Sequence, residues 1–97
     1  MKGGENMARV KNINGTADSY PPLGYSTWKD YYSSKRSWPS SCACLSCKNK
    51  SEVGAHVIKV NSYDRKWYIV PLCRECNGKH GQELDVVESW LVPENDR

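Results

Sequence analysis

Two C-x-x-C pairs, Cys44-Leu45-Ser46-Cys47 and Cys73-Arg74-Glu75-Cys76, stand 25 residues apart in a chain of 97. No other feature restricts the fold as strongly. A C-x-x-C turn presents two thiolates along one edge of a tetrahedron, and a second pair closes a four-coordinate site. Thiolates at that spacing predict one structural zinc per chain, with Zn–S bonds of about 2.3 Å.

A fifth cysteine, Cys42, gives the first loop two compatible pairings, Cys44/Cys47 and Cys42/Cys47. A two-residue spacer lets the backbone amides of the knuckle point at the sulfurs, which favours Cys44/Cys47. The expected ligands are therefore Cys44, Cys47, Cys73 and Cys76, with Cys42 as the remaining thiol.

Composition makes the metal part of the folding problem. The chain has no Phe, and its large side chains are mainly four Trp and six Tyr, whose polar atoms need partners when buried. Such a core is thin for one small domain, so metal binding contributes to folding itself. The odd cysteine count and the absence of an apolar run after Met1 point to a reduced, cytosolic protein with no membrane contact.

Along the chain, residues 1–19 are rich in Lys, Gly, Asn and Asp and read as a flexible arm. Residues 20–41 form an aromatic segment, Tyr20 to Tyr32 and beyond, whose Thr27-Trp28-Lys29-Asp30 start predicts a short helix over 27–35 packed on the core. One of Tyr31 and Tyr32 is expected to be buried with Trp28. Residues 42–92 form the zinc-binding domain. Within it, 53–60 and 66–70 read as a hairpin turned at Asn61-Ser62-Tyr63-Asp64 and ended by Pro71. Strand alternation places His56 and Ile58 on one face, and Ala55 and Val57 on the other. Leu84, Val87, Trp90 and Leu91 fit an amphipathic helix over 82–91, and residues 93–97 an acidic tail. The expected fold is a small α+β zinc-binding domain of treble-clef order, with flanking short helices.

The residues from 42 to 82 resemble the HNH endonuclease superfamily in its four-cysteine zinc form. Cys44-x-x-Cys47, Gly54-Ala55-His56-Val57-Ile58 and Ile69-Val70-Pro71-Leu72-Cys73-x-x-Cys76-Asn77-x-x-His80 carry the likeness. The resemblance implies a ββα unit that holds a catalytic divalent ion, braced by a separate structural zinc. His56 matches the general-base position of that family. The metal-ligand position before it is Ala55, and the position after the last cysteine, where the family has a second metal-binding histidine, is Asn77. Alanine offers no ligand atom, so the resemblance implies the scaffold without an ordinary nuclease centre and without a catalytic divalent cation. His56, Asn77, Lys79 and His80 are expected to converge as a polar site.

Charge supplies a candidate partner. Residues 83–97 carry five acids against Arg97 alone, a balance of −4, which leaves +7 on the rest of the chain. Lys48, Lys50, Lys59, Arg65, Lys66, Arg74 and Lys79 are candidate contacts to the backbone of DNA or RNA. Three functions are open at this point: a nucleic-acid-binding module, a divergent metal-dependent nuclease using His56 as base, and a structural zinc domain that docks a protein through Tyr20–Tyr32.

Overall fold

Alternation of apolar and polar residues builds one antiparallel sheet. The computed structural model describes residues 6–13, 23–60, 66–78 and 82–94. Within them, β1 (Met7–Asn12), β2 (Val53–Lys59), β3 (Tyr68–Leu72), β4 (Glu83–Val87) and β5 (Val92–Pro93) stand in the order β4-β1-β2-β3-β5. Pairing of Val10 with Lys59 and Leu84, and of Ala55 with Val70, sets the faces. One face gathers Val10, Ala55, Val57, Tyr68, Val70, Leu72, Leu84 and Val86 into the main core, together with the cysteines. The opposite face carries His56, Ile69 and Val92, since side chains alternate along a strand.

One loop segment bonds to both β3 and β4. Ala43 donates its N–H to Pro71 O of β3 and accepts from Val87 N of β4, while Leu45 N donates to Asp85 O of β4. Residues 43–45 therefore link β3 to β4 on the main-core side, with Cys44 in an isolated bridge to Val86.

Helix α1 (Trp28–Lys35) lies on the opposite face, over the span that the sequence pattern predicts. Thr27 caps it by accepting from Asp30 N at 3.0 Å. Both tyrosines of its inner stripe are buried, not one. Tyr31 donates its hydroxyl to Pro93 O and Tyr32 to Trp90 O, which ties the helix to the C-terminal segment. Burial holds the Tyr32 phenol in its protonated form, with its pKa pushed up to about 12. The second helix, α2 (Arg74–Asn77), is a single turn that follows β3 directly.

Three expectations are corrected. The arm of 1–19 contains a strand: Met7–Asn12 is β1 and lies inside the sheet, between β2 and β4. Its short alternation of Ala8, Val10 and Asn12 with Arg9 and Lys11 is modest in the sequence, and the strand is sustained by two neighbours. The amphipathic helix over 82–91 is instead β4 followed by one 3-10 turn, Glu88–Trp90. Leu84 fits a strand period with Val86 as well as a helical one with Val87, and a ten-residue helix gains less than five residues paired with β1. Pro71 lies inside β3 and does not end it. Its carbonyl points outward to Ala43, so its nitrogen does too, and the missing N–H costs no bond to β2.

The turn at 61–64, residues 1–5 and 14–22, and the tail from 95 lie outside the described residues. No helix among the described residues is long and apolar enough to cross a membrane.

Candidate metal centre

Residues 40–51 form a tight loop. Ser41 bridges to Lys50, Cys42 N donates to Asn49 O at 2.9 Å, and Ser51 N donates to Ser40 O at 3.2 Å. Inside it, Cys47 N donates to Cys44 O at 3.1 Å and closes the C-x-x-C turn. From the other side, β3 delivers Cys73 to the N-cap of α2, whose second residue beyond the start of the turn is Cys76. Two segments distant in sequence thus present thiols to one spot.

The sulfurs of Cys42, Cys47, Cys73 and Cys76 all lie within 4.8 Å of one another. Cys47 Sγ and Cys73 Sγ are 3.7 Å apart. Two sulfurs at about 2.3 Å from a metal at the centre of a tetrahedron are separated by about 3.8 Å, so this edge already has the length that tetrahedral binding requires. Among the described residues no cysteine is in a disulfide. Cys73 Sγ accepts from Cys76 N at 3.4 Å and lies 3.6 Å from Asn49 Nδ2. The donor set fits a metal ion of the zinc type: four soft, nearly enclosed sulfurs with hydrogen-bond donors around them.

The position that the two-residue spacer assigns to Cys44 is taken by Cys42. Cys44 is buried beside the group and hydrogen-bonds through its thiol to Cys42 and Cys76. The Cys44 hydrogen bond draws the Cys42 thiol below the usual thiol range, and the same bond, aided by burial, pushes Cys44 up.

No family model, no curated protein and no solved structure matches the chain.

His56 does not join the cysteines. It projects from the other face of β2 and is buried, edge-on to Trp28 (centroids 4.5 Å apart) and Trp67 (5.9 Å). Its Nε2 lies 3.3 Å from Glu94 Oε2, inside ion-pair reach but off the geometry of a hydrogen bond, and this nitrogen has no other partner among the described residues. Burial lowers the imidazole pKa despite the carboxylate. Asn77 sits in α2 on the cysteine side, where its carbonyl and that of Cys76 accept from the Asn12 side chain, which faces the same way as Val57. His56 and Asn77 are therefore on opposite faces of the sheet. Lys79 and His80, the other members of the expected polar site, lie outside the described residues.

The basic candidates are dispersed. Lys48 and Lys50 are exposed on the metal loop and Lys66 before β3. Lys59 approaches Glu88 and sits over the Tyr68 ring, and Arg74 pairs with Glu52 at 3.6 Å. Arg65 is outside the described residues. Within the Tyr20–Tyr32 segment, Tyr31 and Tyr32 are core residues, so their rings offer no docking surface. Three features escaped the sequence. Asn12 is a buried polar anchor for α2, Glu94 faces His56, and exposed Lys29, Lys35 and Arg36 make a basic surface on α1, with Lys29 5.0 Å above the Trp38 ring. A lone asparagine at the end of an alternating stretch was the only sign of the first.

Proposed function

We propose that the protein is a non-catalytic zinc module of treble-clef, HNH-like build that binds the backbone of nucleic acid. The observation that carries the metal is the four-thiol group, one edge of which measures 3.7 Å, formed between a closed loop and the first turn of a helix. The chain order of cysteine loop, hairpin and second pair at a helix start supports the treble clef.

Hydrolysis of a phosphodiester needs a base that reaches water and a divalent ion beside it. His56 is enclosed by two indoles, and Ala55 packs into the core with no ligand atom. Both observations support a scaffold without chemistry. Binding is supported by exposed lysine and arginine side chains and the basic balance of residues 1–82. Lys48 and Lys50 are exposed on the cysteine loop, and Lys29, Lys35 and Arg36 on α1 and its C-cap.

Metal analysis of the purified protein should give one zinc per chain. Labelled single- and double-stranded DNA and RNA should then bind with an affinity that falls steeply as salt rises, because phosphate contacts release counterions. The Lys48→Glu/Lys50→Glu variant should lower both affinity and the salt slope. Absence of binding to every probe at low salt overturns the nucleic-acid reading. Cleavage with Mg²⁺ or Mn²⁺ that disappears in His56→Ala at unchanged zinc content reinstates a nuclease.

A further inference from the structure

One tetrahedral metal takes four thiolates, and this site is built with five. Cys42 is fully buried and Cys44 is 4 % exposed, and the Cys44 thiol touches two members of the group, Cys42 and Cys76. The backbone arrangement that makes a zinc knuckle, a turn closed from the second cysteine N–H to the first cysteine carbonyl, is centred on Cys44 and Cys47. The sulfur that completes the group, however, belongs to Cys42. The turn points to one residue and the sulfur cluster to the other. The backbone of 42–45 is held by bonds to Asn49, β3 and β4, so an exchange between the two thiols requires side-chain rotation only.

We infer that Cys42 and Cys44 share a single ligand position, so that the metal is held by Cys47, Cys73, Cys76 and either one of them. The cysteine left out donates its S–H to the bound thiolate and takes over when its neighbour is lost. This rests on the zinc reading above. The plain alternative is that one of the two is a small apolar filler, a common role for a buried cysteine.

The wild-type chain loaded with ¹¹³Cd decides between them by NMR, through coupling of the metal to the β-protons of each ligating cysteine. Coupling should appear at Cys47, Cys73 and Cys76 and at both Cys42 and Cys44, the last two averaged or as two sets of signals. Coupling at only one of them overturns the inference while leaving the metal site standing. No stoichiometric metal at all overturns the zinc reading itself, and this inference with it. In the Co²⁺-loaded protein, Cys42→Ala and Cys44→Ala should each keep the four-thiolate charge-transfer band, at about 10-fold to 100-fold weaker affinity because the outer hydrogen bond is gone. The double variant should lose about a quarter of that band, one sulfur of four. A single variant that behaves like the double also overturns it, and the wild-type NMR experiment stands if a variant does not fold.

Discussion

Asn12, the last residue of β1, donates its side-chain amide to the carbonyl of Cys76, 3.2 Å away. The same amide reaches the carbonyl of Asn77 at 3.2 Å. The N-terminal strand and the cysteine-bearing turn are thereby one unit, and α2, too short to be stable by itself, is held from outside. Asn12→Ala leaves the buried Cys76 carbonyl and the partly buried Asn77 carbonyl without this donor and should cost about 1–3 kcal/mol in denaturant unfolding. Metal affinity should fall with it. Removal of residues 1–12 should abolish the fold, since β2 and β4 both pair with β1.

Cys73 has two duties. It belongs to the four-thiol group, and it caps α2 through Cys76 N. Cys73→Ser, or strong chelator on the wild type, should release one equivalent of metal and unfold the domain, because binding energy in a core this small is folding energy. Far-UV circular dichroism and tryptophan fluorescence should change together with the metal release. A fold that persists in chelator removes the metal from the account of stability.

The hairpin, the first helix and the existence of a thiol cluster were legible because each has a local signature: β-branched alternation from Val53, a Thr27 cap, and cysteine spacing. What escaped depends on distant partners. Met7–Asn12 has little apolar content and becomes a strand only by lying between β2 and β4. Leu84, Val86 and Val87 satisfy two periods, and β1 decides between them. Cys42 and Cys44 cannot be ranked by spacing alone, because the sulfurs are placed by a segment that links β3 to β4.

Gly54 is where α1 meets β2. A Cβ built there would lie 3.0 Å from the backbone carbon of Trp28, 3.1 Å from Lys29 N and 3.1 Å from Ile69 Cγ2. Two of those atoms are main chain and cannot rotate away. Gly54→Ala should therefore push the helix off the sheet and destabilise by about 1–3 kcal/mol, the usual range for overpacking. Its thermal midpoint should fall while metal stoichiometry stays at the wild-type value, because the cysteines lie on the other face.

His56 makes stability depend on pH. Burial between Trp28 and Trp67 lowers its folded pKa below the ordinary value of 6.5, and the attraction of Glu94 only partly offsets this. The unfolded chain therefore binds the proton more readily, and stability falls as pH drops from above 6.5 towards the lowered folded value. Above 6.5 the imidazole is neutral in both states and contributes no slope. His56→Phe keeps an aromatic ring between the indoles and removes the titration. Unfolding free energies of wild type and variant, measured from pH 8 to pH 5 with metal bound, should run parallel above about 7 and diverge below it, with the wild type losing more. Protonation of the metal ligands is common to both proteins and cancels in the difference. Parallel curves across the whole range would show that this histidine titrates alike folded and unfolded.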